Sequence, residues 1–142
     1  MKSRRLLVRQ VANPEGETSD AIAQIMCDAL GVSGKEASED SKLLKEIAVR
    51  SLAGQGVTSK DLSRQLGMPR STILYKLNYL IENNLVVRHG RQYFLRGMSL
   101  EQTIEQLEAE MRLEFERLLK LASKFDELAE SEIYGKRRRK GQ

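Results

Sequence analysis

The sequence predicts a mainly α-helical protein with a small β-hairpin and a long C-terminal helix. Three observations lead to this prediction. Apolar residues recur at helical spacing through most of the chain. Two short runs of β-favouring residues flank a connection that contains Gly90. From Ser99 to about Ser131 the chain has neither Gly nor Pro, and its apolar residues follow a heptad repeat.

Size and composition indicate one compact domain, or one domain with an extended oligomerisation element. The chain has 142 residues, of which 40% are hydrophobic and 31% charged, as in soluble helix-rich proteins. Only 5% are aromatic and none is Trp, which leaves little for stacking on single-stranded nucleic acid. Cys27 is the only cysteine, so a disulfide or a Cys-rich zinc site within one chain is excluded.

A cytoplasmic location is expected, because a single cysteine in an apolar pattern suits a reducing compartment. No apolar run approaches the ~20 residues of a membrane span. Residues 1–10 lack the sustained apolar stretch of a targeting segment.

Acidic and basic residues are unevenly distributed along the chain, although the net charge is only +4. Residues 1–54 balance, with eight Lys or Arg against eight Asp or Glu. Residues 55–97 hold seven basic residues against two acidic ones, whereas residues 98–135 hold ten acidic against four basic. Five more basic residues occupy positions 136–140. This distribution predicts that the middle segment faces phosphates, while the acidic segment faces solvent or a second subunit.

Two helices are predicted before the basic segment, after a weak strand candidate over residues 6–11. Thr18 or the serine after it can cap the first helix, which ends at Gly31. Its predicted inward face comprises Ile22, Ile25, Met26, Ala29 and Leu30. Ser38 offers a cap for the second helix, which ends at Gly54. Its predicted inward face comprises Leu43, Leu44, Ile47, Ala48 and Leu52.

The basic segment predicts a short helix, a tight turn, a second helix and a hairpin. The short helix spans Ser59–Leu66, and Gly67 allows the turn that follows it. The next helix begins around Pro69 and ends at Asn83-Asn84, since Asn tolerates positive φ. Its inward face is predicted as Ile73, Leu77 and Leu80, and its outward face as Arg70, Thr72, Tyr75, Lys76 and Tyr79. Strands over 85–88 and 92–96 then flank a connection formed by His89, Gly90 and Arg91.

The last predicted element is one long helix with a coiled-coil pattern. Ser99 is its expected N-cap, and Glu114 is the one residue that interrupts its two apolar seams. The residues predicted to pair between subunits are Leu100, Ile104, Leu107, Met111, Leu118, Leu121, Phe125 and Leu128. Packing of this helix on its own domain stays open, because Leu113, Phe115 and Leu119 widen the apolar face. Residues 135–142 are predicted to form a disordered basic tail, either a phosphate-binding arm or a solubilising extension.

Residues Thr58 to Arg96 resemble the winged helix-turn-helix of prokaryotic regulators, especially the ArsR and MarR types. The matching positions are Leu62, Leu66-Gly67, Ser71-Thr72-Ile73, Leu77, Leu80, Leu85-Val86, Gly90-Arg91 and Tyr93. Two positions depart from the pattern. Leu74 stands where these families usually have a polar residue that reads bases, and Asn83-Asn84 replaces the usual Ala-Gly or similar pair.

The resemblance implies a winged helix-turn-helix domain with a long C-terminal dimerisation helix, acting on double-stranded DNA as a homodimeric transcription regulator. Two recognition helices would lie ~34 Å apart in successive major grooves. The predicted contacts from the recognition helix are Arg70, Ser71, Thr72, Tyr75 and Lys76. Those from the wing are Arg88, His89, Arg91 and Gln92, with Lys60 and Arg64 as auxiliary phosphate contacts.

The predicted organisation is an N-terminal segment over 1–54, a DNA-binding region over 55–97, a dimerisation helix over 98–134 and the tail over 135–142. Two other functions stay open: a winged-helix protein-interaction module and a non-specific architectural DNA binder. No enzyme, metal site or cofactor is predicted, because no phosphate-binding glycine loop, acid pair or metal-ligand spacing is present. A small-molecule effector is compatible with the sequence, which does not identify one.

Overall fold

The structure is a computed structural model that describes residues 8–13, 16–34 and 37–140. It divides into two compact units, one ending at Ile104 and one beginning at Glu105. The predicted segments 1–54 and 55–97 therefore belong to the same unit. The second unit consists of the continuation of a single long helix.

The observed architecture confirms the prediction of a mainly helical protein with a small antiparallel sheet and a long C-terminal helix. Two helices come first, followed by alternating short strands and helices. In chain order the elements are α1 (Ser19–Ala29), α2 (Ala37–Leu52), β1 (Val57–Thr58), α3 (Ser59–Leu66), α4 (Arg70–Glu82), β2 (Val86–His89), β3 (Gln92–Leu95) and α5 (Leu100–Lys140).

Helix α1 begins as predicted and buries the predicted face in part. The Thr18 Oγ1 atom caps the helix by accepting a hydrogen bond from the Ala21 N–H at 3.2 Å. The buried face is formed by Ala23, Cys27 and Leu30, whereas Ile22 is exposed. Of the predicted face, Ala29 and Leu30 are buried, Ile25 and Met26 are half-buried, and only Ile22 is exposed. Residues 8–11 form no strand, and the rest of that strand candidate lies outside the described residues.

Helix α2 forms the centre of the core of the first unit. Leu43, Leu44 and Ile47 are completely or almost completely buried, and the helix packs on both α1 and β3. Leu52 was predicted to point inward but is exposed, because it lies in the last turn of the helix, beyond the part that the other elements cover.

The sheet has three antiparallel strands in the order β1-β3-β2, one more than predicted. Strand β1 has only two residues, too few to show a period in the sequence. Its pairing with β3 ends where Val57 meets Tyr93, so β3 has no strand partner on that side beyond Tyr93. Two residues further on, the buried Ser51 Oγ on α2 accepts the hydrogen bond of the Leu95 N–H at 2.9 Å. A side chain of α2 therefore replaces a missing strand residue.

Helix α5 begins as predicted and continues further than predicted. Ser99 Oγ accepts a hydrogen bond from the Gln102 N–H at 3.0 Å, which confirms the N-cap. The helix runs to Lys140, so the prediction of disorder was wrong for residues 135–140, and the last two residues lie outside the described part. Gly135 reduces the stability of the helix by only about 1 kcal/mol. The basic residues after it are good helix formers, and they lie at the C-terminal end, where the helix dipole favours positive charge.

No helix in the described ranges is both long and apolar enough to span a membrane.

Candidate nucleic-acid interface

A helix pair, α3 and α4, forms the scaffold of the candidate site. Thr58 Oγ1 caps α3 by accepting a hydrogen bond from the Asp61 N–H at 3.1 Å. Gly67 ends it with a φ of 66°, a left-handed conformation that suits glycine. The Ser63 hydroxyl donates to the Met68 carbonyl and so fixes the turn between the helices. Leu62 of α3 is fully buried, as are the α4 core residues, so the pair is held at a defined angle.

The outward face of α4 is a narrow stripe of exposed side chains. Ser71, Tyr75 and Asn78 follow one another at intervals of four and three residues, so they lie on one side of the helix. Tyr75 is 75% exposed, so most of its side chain is available for contact. Thr72 and Leu74 are half-buried and flank this stripe. Asn78 was not predicted as a contact residue, although it lies seven residues after Ser71, a spacing that puts both on the same side of a helix.

Lys76 is the one predicted contact on α4 whose charge is already paired. Its Nζ atom lies 2.6 Å from Asp40 Oδ1 on α2, and the two side chains are only 15% and 10% exposed. The other carboxylate oxygen, Oδ2, accepts the Gly34 N–H at 2.7 Å. The ion pair joins α4 to α2. Lys76 is not an available cation for DNA, because breaking this largely buried pair would leave both charges without a partner.

The start of α4 presents Arg70 and Ser71 to solvent. Pro69 occupies the N-cap position, and no side chain caps the helix there. Arg70 is exposed, and its Nε lies 3.3 Å from Ser59 Oγ, which orients the guanidinium without neutralising it. Uncapped N–H groups beside an arginine are suited to anions such as phosphate.

The β2–β3 hairpin ends in a basic tip. The His89–Gln92 pair closes the ladder, so the connection has two residues, Gly90 and Arg91, not the predicted three. Arg88 Nε donates to the Gly90 carbonyl at 2.7 Å, and its guanidinium lies 5.6 Å from the centroid of the Tyr93 ring. Both contacts hold Arg88 in place while leaving its charge unpaired.

Other predicted contacts at the tip and on α3 are also exposed. His89 packs its ring at 5.7 Å from that of Phe94, centroid to centroid, and Gln92 lies across the ladder from it. Within the described ranges, no ion pair engages Lys60, Arg64 or Arg91. Among the described residues, five of the seven basic side chains of residues 55–97 are therefore unpaired surface charges: Lys60, Arg64, Arg70, Arg88 and Arg91.

The predicted dimerisation residues fall into two groups along α5. Leu107 is buried, and Leu100, Ile104 and Met111 are half-buried. Leu118, Leu121, Phe125 and Leu128 are exposed by 53–68%. Only the second group is available to a partner over most of its surface.

A cavity of about 270 Å³ lies beside α4 in the first unit. It is lined by Val32, Ser33, Gly34, Asp40, Leu43, Tyr75, Lys76, Tyr79 and Leu80. A small-molecule effector would need a site of this kind, but the cavity includes no buried polar group that lacks a partner among the described residues and so indicates no particular ligand.

Cys27 is buried in the core and packs as a hydrophobic residue does, and its thiol is hard to ionise. Burial raises the pKa of the Cys27 thiol from 9.0 to about 12, and the charges of Asp40 and Asp28 act in the same direction. A thiol with a raised pKa is a poor nucleophile near neutral pH, because only the thiolate reacts.

The raised pKa of Cys27 predicts a loss of stability in alkali. The thiol ionises more easily in the unfolded chain, so its contribution is complete below pH 9 and is lost as the pH rises toward 12. Between pH 9 and pH 10 we expect the protein to lose about 1 kcal/mol more than a Cys27→Ala variant does. Urea unfolding of both proteins at pH 7, 9 and 10 measures this difference, and parallel pH profiles would contradict it.

No family model, curated protein or solved structure matches this chain in comparisons with known proteins.

Proposed function

We propose that this protein is a sequence-specific transcription regulator that binds double-stranded DNA through a winged helix-turn-helix and acts as a homodimer. Helix α4 is the recognition helix and enters the major groove, while the β2–β3 hairpin is the wing that meets the flanking backbone or minor groove. No catalytic step is part of this function.

One observation carries the proposal: an exposed polar and aromatic stripe on α4 lies in the same folded unit as five unpaired cations. Ser71, Tyr75 and Asn78 provide hydroxyl and amide groups that suit base edges. Arg70 borders one end of the stripe. Arg88 and Arg91 on the wing, with Lys60 and Arg64 on α3, supply the positive charge that phosphates require. A surface used only for protein contacts has no need of this charge excess.

Retention of duplexes from a random library at several salt concentrations, followed by sequencing, tests this function. An enriched inverted repeat with a steep salt dependence is the expected result. Retention without enrichment would instead indicate an architectural binder, and no retention at low salt would indicate a protein-interaction module.

Two substitutions separate the roles of the wing and of α4. Arg91→Ala is expected to weaken binding to specific and random duplexes alike and to reduce the log-log salt slope by about 0.9, the loss of one phosphate contact. Asn78→Ala is expected to cost about 1–3 kcal/mol on the enriched sequence and much less on random DNA. Titration of both proteins with both duplexes measures these effects.

Lys120→Ala on α5 is the matched control for Arg91→Ala, because it removes one exposed charge far along the chain from the proposed surface. It is expected to leave affinity and salt slope unchanged. If Arg91→Ala and Lys120→Ala had the same effect, the wing would not contact DNA and net charge alone would account for binding.

A further inference from the structure

We propose that the exposed part of α5 pairs with α5 of a second copy in the antiparallel direction, with the two-fold axis near Ser123. This orientation rests on the self-association proposed above, but not on DNA binding. It assigns the partner, direction and register of the apolar face.

Four of the exposed apolar residues of α5 form a continuous face. Leu118, Leu121, Phe125 and Leu128 are each more than half exposed. They are spaced by three, four and three residues, so they line one side of the helix. Four large apolar side chains on one side of a charged helix need a partner that buries them.

The spacing of these four residues is the same in both chain directions. A second helix that runs the opposite way therefore brings Leu118 against Leu128, and Leu121 against Phe125, about a midpoint at Ser123. Each of these layers combines one residue from each of the two apolar seams. All four exposed seam residues are then buried by one another in a single register.

The charges of α5 distinguish this direction from the parallel one. Residues 100–116 hold six acidic residues and one basic residue, whereas residues 136–140 are all basic. In the antiparallel register, positions 136–140 lie opposite positions 106–110, which include Glu108 and Glu110. A parallel pair would bring five positive charges against five, and the acidic starts against each other, which is unfavourable.

This register also determines the distance between the two Ile104 residues of the pair. Helical residues rise 1.5 Å each, so the two Ile104 residues lie about 57 Å apart along the helix axis. A parallel pair would hold them side by side. The direction in which the α5 helices pair therefore sets the distance between the two Ile104 residues.

Spin labels on full-length protein without DNA test the direction. The labels are attached to Ala109→Cys and, in a separate variant, to Ser123→Cys. Both positions are exposed, and they lie fourteen residues, or two heptads, apart, so they occupy the same side of α5. In the antiparallel register the two Ala109 positions lie about 42 Å apart along the axis, whereas the two Ser123 positions lie level. We therefore expect the distance between labels to be longer at 109 than at 123 by about 25 Å. The unsubstituted protein is the control, because its buried Cys27 should take no label.

Equal distances at the two positions would overturn the proposal in favour of a parallel pair. The absence of any coupling between labels, together with a monomer mass by light scattering, would overturn self-association itself. Because neither measurement uses DNA, failure here is distinguishable from failure of the proposed DNA binding.

A charge reversal provides a second test that does not depend on labelling. Glu105→Lys with Glu108→Lys puts positive charge beside the basic end of the partner, so we expect the dimer dissociation constant to rise at least tenfold at low salt. Glu127→Lys with Glu130→Lys is the matched control, since each double variant changes the charge by the same amount and removes one exposed ion pair. The control is expected to leave the dissociation constant within about threefold, because Glu130 lies opposite Glu116 in this register. Equal weakening by both double variants would contradict the register.

Discussion

Replacement of Asp40 by alanine is expected to lower the free energy of unfolding by about 2–4 kcal/mol. Asp40 Oδ1 lies 2.6 Å from Lys76 Nζ, and Oδ2 accepts the Gly34 N–H at 2.7 Å. The alanine removes both contacts at once. It leaves the Lys76 ammonium only partly exposed and without its counterion.

Lys76→Met isolates the other half of the same pair. Methionine keeps much of the apolar stem, and Asp40 keeps its hydrogen bond from Gly34, so the expected loss is smaller, about 1–2 kcal/mol. Urea unfolding of the two variants and of the double variant measures the coupling between the side chains. Equal losses from Asp40→Ala and Lys76→Met would mean that the Gly34 contact contributes nothing.

The same lysine variant separates structure from DNA binding. Because Lys76 is paired within the chain, Lys76→Met is expected to change DNA affinity by less than about twofold, whereas Arg91→Ala weakens it. The affinity is compared under conditions in which each protein is fully folded. A loss for Lys76→Met as large as for Arg91→Ala would show that the lysine leaves Asp40 to meet a phosphate.

Gly97→Ala is expected to lower the free energy of unfolding by about 3 kcal/mol. A Cβ at Gly97 would lie 2.7 Å from the backbone carbon of Gln102 and 2.7 Å from the backbone nitrogen of Thr103. These atoms belong to the first turn of α5 and cannot move aside as a flexible side chain would. The Gly97 N–H also donates to the fully buried Thr103 Oγ1 at 3.0 Å, so a shift of the helix start breaks this contact as well.

Gly135→Ala is the matched control for Gly97→Ala. A Cβ at Gly135 has no atom of the described residues within 4 Å, and the residue is helical. Alanine there is expected to be neutral or to stabilise the helix by up to about 1 kcal/mol. Thermal and urea unfolding compare the two variants, and an effect of Gly97→Ala below about 0.5 kcal/mol would mean that the start of α5 shifts freely.

The order of helices and the position of the hairpin could be predicted from the sequence because local chemistry determines them. Gly67 and Asn84 have left-handed backbones at the turns where their residue types indicated them. The caps at Thr18 and Ser99 were likewise readable from residue type. Strand β1 was not, because two residues have no periodicity and pair only once β3 is in place.

The candidate site was only partly predictable for a similar reason. Exposed positions such as Arg70, Tyr75 and Arg91 follow from helical period and from the hairpin turn. The pairing of Lys76 with Asp40 joins residues 36 positions apart, which no local pattern reveals. Asn78 was overlooked because the predicted outward face was centred one residue too far toward Lys76.

The sequence by itself determined the helical class, the order of the elements, the basic middle segment and the heptad of the last helix, since each depends on neighbouring residues and their spacing. Only the tertiary structure decided which charges are free and which apolar residues are covered. It pairs Lys76 across α2 and α4, and it leaves Leu118 to Leu128 exposed while Leu107 is buried. Burial and pairing depend on residues distant in the chain, and a periodic pattern contains no information about which of these residues come into contact.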